Sequence, residues 1–351
     1  MATYSQPTVA PTYRLSQAEL IKRLDPQGNA AEIAEILNES NEIVQDVVFK
    51  EGNLPTGDEQ TVRTGLPEVY WRQLNRGVPA SHSTVATVTE TCGQMEARSE
   101  VDSEVLNLNG MSATFRLQEE KPFIEAMTQA FAKTLFYGDA KKKSEGFTGL
   151  ATRYSTLNKA KASCAKNVID CGGTGDKLTS IYIVGWGDNV YCPFPKGSAV
   201  GLQSKDLGEH LIKDDQNNEF LGYTSIYDWK VGLMVRDWRY VVRLANINPD
   251  DLINGSGIGT GDVKTANTSN ILMKLDQALT LIPRGAGTRL AMYMNSDVHY
   301  GLNVVAMRTD SNVIRYSEAT EQFGAPETWT TYKNVPMRRC DQILNTETRV
   351  Q

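Results

Sequence analysis

The sequence is poor in the side chains most often recruited for metal and redox chemistry. Of its 351 residues, three are histidine and five are cysteine. His82, His210 and His299 lie far apart, and Cys92, Cys164, Cys171, Cys192 and Cys340 form no C-x-x-C pair. Tetrahedral zinc draws on closely spaced Cys or His ligands, so no metal site is expected. An odd number of scattered thiols in a long chain argues for reduced cysteines, not a disulfide framework. A basic excess is missing too: 36 Lys and Arg face 42 Asp and Glu, a formal net charge of −6. That excludes a chain coated with cations for direct wrapping of nucleic acid, but not a weakly charged wall around packed DNA. No apolar run approaches the roughly 20 residues of a membrane span. Met1–Pro11 lacks the charged, apolar and small-residue regions of a signal peptide, so synthesis and folding in the cytoplasm are expected.

Catalytic signatures are also lacking. Two glycine-rich loops, Cys171–Lys177 and Gly255–Asp262, invite a nucleotide reading. A phosphate loop needs G-x-x-x-x-G-K-[ST] between a strand and a helix, so that backbone amides and a lysine cradle phosphates. The first loop puts Asp176 between Gly175 and Lys177, with strand-like sequence after it; the second has no lysine in register and lacks the preceding strand of a dinucleotide fold. Both read as turns. No G-x-S-x-G elbow exists. The carboxylate pairs Glu119-Glu120 and Asp214-Asp215 fall in helix-start and loop contexts. Trp229, Trp238 and Tyr240, interleaved with Arg236, Arg239 and Arg243, could form a stacking platform for nucleic acid. However, Val241, Val242 and Leu244 continue that segment as a strand, which favours core packing with edge ion pairs.

What remains is an α+β pattern of ordinary apolar content, 40% hydrophobic and 22% charged, long enough for one large or two modest domains. Capping boxes at Ser16 and Asn29 predict two short N-terminal helices, followed by a strand or apolar anchor over Ile43–Phe49. From Leu54 to about Gly110 large apolar residues are scarce. Short alternating bursts such as Thr84–Thr89 predict strands, and Val69–Leu74 predicts a helical turn. So little core cannot offset an ordering cost of roughly 1–2 kcal/mol per residue, so this stretch reads as a two-stranded arm lying on a neighbouring subunit. A long helix is expected over Leu117–Tyr137, with Pro122 in its first turn, an Ile124–Met127–Phe131–Leu135 stripe and a Gly138 C-cap. Lys141-Lys142-Lys143 then complements the helix dipole in a solvated loop, with contact to phosphate as a secondary reading. Further on, strands are expected at Thr179–Trp186, around Val241 and at Arg289–Met294. Helices are expected after Thr268 or Ser269, ended by Pro283, and after Ser296-Asp297. An extended exit strand is expected over Tyr332–Thr348.

Several local stretches are more specific than this order. Thr64-Gly65-Leu66-Pro67-Glu68-Val69-Tyr70-Trp71-Arg72-Gln73-Leu74-Asn75-Arg76-Gly77 and Glu100-Val101-Asp102 flank the polar arm. Phe136-Tyr137-Gly138-Asp139 and Phe147-Thr148-Gly149-Leu150 follow the long helix. Val235–Arg243 and Met292-Tyr293-Met294-Asn295 come later. Together, over about 50 to 345, the sequence resembles the podovirus major capsid proteins typified by phage epsilon fifteen, which have the Hong Kong 97-type fold of tailed phages.

The resemblance implies an N-terminal arm (1–53), an extended β-hairpin loop (54–110), and a peripheral domain with a spine helix (111–150). It further implies a mainly axial domain (151–300, with peripheral strands around 228–247) and a return to the peripheral domain (301–351). It implies a virion subunit, not an enzyme, assembling with itself into hexamers and pentamers of an icosahedral head around double-stranded DNA. Noncovalent joints, no cofactor, no metal and no membrane contact are expected, with portal, scaffold and cement or decoration proteins as partners. Trp71, Arg72 and Arg76 are candidate anchors of the loop on an adjacent subunit, where Glu100 and Asp102 could meet basic groups. Two rivals are an encapsulin-like compartment and a soluble α/β enzyme built on residues 170–300.

Overall fold

The structure, a computed structural model, describes residues 41–104, 112–213, 217–254, 271–283, 287–308, 314–319 and 327–351. The helices expected after Ser16 and Asn29, the loop Gly255–Asp262, the pair Asp214-Asp215 and the caps at Thr268 and Ser269 lie outside these residues. In chain order the elements begin with α1 (Ile43–Asp46), β1 (Phe49–Glu51), β2 (Gly57–Gly65), β3 (Thr84–Thr91), β4 (Gly93–Asp102), α2 (Ser112–Tyr137) and α3 (Leu150–Arg153). They continue with β5 (Val168–Asp170), β6 (Thr179–Trp186), β7 (Val190–Phe194), β8 (Gln203–Lys213), β9 (Glu219–Val231), β10 (Met234–Val235) and β11 (Val241–Ile247). The last are α4 (Pro249–Asn254), α5 (Ile271–Leu281), β12 (Arg289–Met294), α6 (Ser296–Arg308), β13 (Ile314–Ala319), β14 (Glu327–Tyr332) and β15 (Val335–Arg339). Within the described residues the chain forms two compact units, crossing between them at 93/94, 128/129, 200/201 and 229/230.

The larger unit is organised on a seven-stranded mixed sheet in the order β13-β14-β15-β12-β6-β11-β5. Its interior strand β6, flanked by β12 and β11, is the apolar run Thr179–Trp186, and every residue in it is buried. Strands covered on both faces lose the polar alternation of half-exposed ones, which is why this segment reads as a continuous apolar block. The C-terminal part of α2 buries Phe131, Ala132, Leu135 and Phe136. Phe136 lies 4.9 Å from the ring of Tyr182 on β6 and 6.4 Å from that of Tyr293 on β12. A fully buried Phe of this kind stabilises by about 1.5–3 kcal/mol.

Glycine closes the helix by close approach. A Cβ on Gly149 would sit 2.6 Å from the Thr134 carbonyl oxygen and 2.7 Å from that of Phe136. The turn joining β14 to β15 has Lys333 at φ 48° and Asn334 at φ 67°. Two consecutive left-handed residues make the mirror-image turn whose twist suits a two-residue hairpin.

Three expectations are corrected. Helix α2 starts at Ser112, so Pro122 stands inside it, not in its first turn. The sequence Tyr332–Thr348 is no single strand: Lys333-Asn334 folds it into a hairpin, and no strand follows Arg339. Ile43–Phe49 is divided between the single turn α1 and the start of β1.

Two buried polar clusters fix outlying chain to this sheet. In the first, Arg243 Nη2 donates to Glu347 Oε2 at 2.9 Å, with only 5% and 6% of the two side chains exposed. Arg243 also donates to Ser180 Oγ and to the carbonyls of Ala151 and Tyr154, and Ser180 and Tyr137 donate to Glu347. In the second, Asp46 accepts from Arg338 Nε at 3.0 Å, Arg289 Nη2 at 2.9 Å and Tyr293 OH at 3.2 Å. Tyr293 OH in turn accepts from Trp186 Nε1 at 2.7 Å. One cluster holds the C-terminal segment; the other holds α1.

The smaller unit contains the sheet β4-β9-β8 and the N-terminal part of α2. Strands β8 and β9 run antiparallel from Gln203↔Asp228 to Lys213↔Glu219, with a slip between Asp206 and Glu209. Phe123 stacks on Tyr227 at 5.8 Å between centroids, and Ser225 Oγ donates to Glu120 at 3.2 Å.

Candidate subunit-contact surface

The polar segment predicted as an arm contains a two-stranded hairpin. Strands β2 and β3 pair antiparallel from Gly57↔Thr91 to Gly65↔Thr84, slipping between Arg63 and Gly65. Thr, Val and Glu at alternating positions give strand propensity without a wholly apolar face, and four of the nine residues of β2 and six of the eight of β3 are exposed. An isolated two-stranded ribbon is marginal in water, so its root needs other support.

That support is polar and partly buried. Arg153 holds Glu90 at the end of β3 in a bidentate pair, Nη1–Oε1 2.6 Å and Nη2–Oε2 2.7 Å. Planar fork geometry makes such pairs both strong and directional. Asp58, on β2, is buried and accepts from Tyr191 OH and the Asn53 amide. The Asn53 side chain brackets Glu59, donating to its carbonyl at 2.6 Å and accepting from its N–H at 2.8 Å. Beside them Cys92 Sγ donates to the Pro193 carbonyl at 3.3 Å. Burial, with the Asp58 charge nearby, pushes the Cys92 thiol up to about 11.

Beyond Gly65 the chain makes a loop over residues 66–83 with no regular structure apart from a turn at Leu74-Asn75. The helical turn expected at Val69–Leu74 is therefore absent; the chain turns instead at Leu74-Asn75, where Asn75 is left-handed at φ 63°. The tip is held by its own short contacts. Tyr70 OH donates to Glu68, Ser81 Oγ to the Glu68 carbonyl at 2.9 Å, and Arg72 Nε to the Arg76 carbonyl at 3.0 Å. Its apolar side chains point to solvent: Val69 is 92% exposed, Trp71 102% and Leu74 95%, with Leu66 close behind. Soluble monomers rarely leave large apolar patches uncovered, which makes this tip a candidate contact surface.

Of the five residues singled out from sequence, Trp71, Arg72 and Arg76 share this tip and belong to the larger unit. Glu100 and Asp102 belong to the smaller one, on β4. Glu100 lies 3.9 Å from Arg98 on the same strand, and Asp102 Oδ1 accepts from the Glu104 amide at 2.9 Å. Both acids thus have local partners. The sequence reading missed Asp58, Glu90, Arg153 and Tyr191, which orient the hairpin; no local pattern announces a pair 63 residues apart.

Among the described residues no group of three or more His, Cys, Asp or Glu could hold a metal ion. A cleft of about 1350 Å³ beside α5 and β12 is lined by Asp276, Arg289, Lys333 and Arg338, but Lys333 pairs with Asp276 and both arginines with Asp46. The loop Cys171–Lys177 is a turn, with Lys177 paired to Asp250 at 3.0 Å. Burial pushes the Cys171 thiol up to about 12. Among the described residues no helix is long and apolar enough to cross a membrane.

Residues 25–351 match the family model described as major capsid protein GP7. The chain belongs to that family. This capsid protein is also similar to a solved structure of bacteriophage epsilon15, with 25% identity and a TM-score of 0.72 over 98% of this chain and 99% of that one. The bacteriophage JBD30 capsid matches at 10% identity and TM-score 0.47, covering 93% of this chain and 99% of that one. The capsid of a native GTA particle matches at 12% identity and TM-score 0.46, covering 64% and 95%. No curated protein sequence matches. The capsid protein thus has the Hong Kong 97-type α+β fold and is a structural subunit of a phage head, in a family of structural, not enzymatic, proteins.

Proposed function

We propose that this capsid protein assembles through hexamers and pentamers into an icosahedral head around packaged double-stranded DNA, with noncovalent joints between subunits. The observation that carries this reading is the hairpin tip. A ribbon rooted by one half-buried ion pair and by the buried Asp58–Tyr191 hydrogen bond presents Val69, Trp71 and Leu74 almost wholly to solvent. Such a surface suits a neighbouring copy. Covering Trp71 would remove about 150–250 Å² of surface, worth roughly 4–6 kcal/mol before ordering costs. Repeated at every subunit, a joint of modest strength closes a shell while letting misplaced subunits leave.

In this reading residues 1–53 form an N-terminal arm and 54–110 the extended loop. Residues 111–150 carry the peripheral domain's spine helix, and 151–300 the mainly axial domain with peripheral strands around 228–247. Residues 301–351 return to the peripheral domain. Trp71, Arg72 and Arg76 anchor on an adjacent subunit, and Glu100 and Asp102 pair with basic groups there. Portal, scaffold and cement or decoration proteins complete the head, which is built in the host cytoplasm.

Negative-stain microscopy of the expressed protein tests the reading. Wild-type chains should form shells, tubes or capsomers that run as monomers on a denaturing gel. Trp71→Ala should fold normally yet yield shells that dissociate at lower denaturant. Monodisperse monomers alone, or Trp71→Ala and Arg72→Ala shells as stable as wild type, would contradict it.

A further inference from the structure

The charge of this acidic chain is unevenly distributed. Residues 139–166 hold seven Lys or Arg against two Asp or Glu, whereas the whole sequence carries −6. Six of those cations, Lys141, Lys142, Lys143, Lys159, Lys161 and Lys166, are exposed. Of these six lysines only Lys142 has an ion pair among the described residues, a 3.7 Å contact with Asp139 on its own loop.

The lysines sit on two loops tied to the ends of one short helix. Gly149 N–H donates to the Gly138 carbonyl at 2.9 Å and Thr152 Oγ1 to the same oxygen at 2.8 Å, which closes the first loop back onto α3. The Cys164 thiol donates to the Arg153 carbonyl at 3.2 Å, which ties the second loop to the other end of α3. That helix has four residues, about 6 Å of length. It is fixed to the core sheet by Arg243, which donates to the carbonyls of Ala151 and Tyr154. The lysines therefore project from a fixed platform.

Solubility does not account for this arrangement, because added carboxylates serve that purpose better than added lysines. Gathering like charges on one platform also costs self-repulsion, which a polyanion relieves. Ammonium groups, which lack a bidentate fork or an aromatic plane, suit phosphates read as point charges, not bases read by sequence.

We propose that the lysine surface on the loops at 139–149 and 155–166 faces the interior of the head and contacts the phosphate backbone of double-stranded DNA without sequence preference. This inference rests on the head-forming reading above and adds to it the binding surface and the chemistry of its partner.

Two measurements on the full-length chain test it. In the first, a fluorescent duplex of roughly 30 base pairs is titrated with free subunits at several salt concentrations. Each phosphate contact adds about 0.9 to the slope of log K against log salt, so K141Q/K142Q/K143Q should lower the slope by up to about 2.7. It should also weaken binding at least roughly tenfold at about 50 mM salt. The control K196Q/K205Q/K213Q, also at exposed lysines, should stay within about twofold of wild type. Equal losses in both triples, or none in the first, overturn the proposal. In the second, assembled shells are treated with an amine reagent too bulky to cross the wall. Lys141–Lys143 should be protected relative to free subunits; labelling at the free-subunit rate overturns the proposal. Shells without duplex binding refute this inference alone, whereas failure to form shells refutes the head reading and this inference with it.

Discussion

The clasp between Arg243 and Glu347 offers the sharpest quantitative test of how the C-terminal segment is held. Both side chains are almost fully buried, and the carboxylate accepts from Arg243 Nη2, Ser180 and Tyr137. Glu347→Gln keeps the shape but removes the charge. It leaves a buried guanidinium whose other partners, Ser180 Oγ and two carbonyls, are all neutral. Removing one member of a buried pair costs about 3–5 kcal/mol, chiefly because the surviving charge is uncompensated. Removing both is different: Arg243→Met with Glu347→Leu should fall within about 1 kcal/mol of wild type, or exceed it. Urea unfolding of free subunits is the assay. At a slope of about 3 kcal/mol/M, the single variant should lower the midpoint by roughly 1 M or more, with the slope unchanged. A single variant costing under about 1 kcal/mol, or a double variant as unstable as the single one, would refute the reasoning.

Other consequences follow from the same structure. Glu90→Gln breaks the bidentate pair with Arg153 at the hairpin root; we expect about 1–3 kcal/mol of destabilisation and faster amide exchange along β3, measured by hydrogen–deuterium exchange. The Cys92 and Cys171 thiols, pushed up to about 11 and about 12 by burial, should resist a thiol reagent at pH 8 until the protein is unfolded, counted by mass spectrometry. His299 is held below the ordinary value of about 6.5, first by burial and then by Arg339. The unfolded chain then binds a proton more readily, so stability should fall as pH drops from about 6.5 through the lower folded value. Melting of His299→Gln against wild type at about pH 5 and 7.5 should show a shallower pH dependence in the variant.

The parts of the fold legible in the sequence are those whose cause is local. Strand β6 shows as an apolar run because both faces are covered, and α2 shows through residues at helical spacing that its core contacts require. The hairpin strand at Thr84 shows by alternation, and its dependence on a partner shows by the shortage of core. Boundaries were less legible. Pro122 resembles a helix start, yet α2 begins at Ser112, and a proline inside a helix is tolerated when tertiary packing outweighs its cost of about 3 kcal/mol. Tyr332–Thr348 reads as extended throughout because nothing in a Lys-Asn pair compels the two left-handed residues that turn it back.

Composition by itself determined that this protein is acidic, without a membrane-length apolar run or a catalytic motif, and that one polar stretch cannot bury a core of its own. Local sequence determined its family. Tertiary structure alone decided how the hairpin is held, since Glu90 meets Arg153 and Asp58 meets Tyr191 only when distant loops converge. It alone decided that Val69, Trp71 and Leu74 stand in solvent and that Arg243 is not an edge charge but the centre of a buried cluster. The physical reason is common to these cases: propensity and periodicity are properties of neighbours in the chain, whereas burial and charge pairing depend on which remote segments the fold brings together.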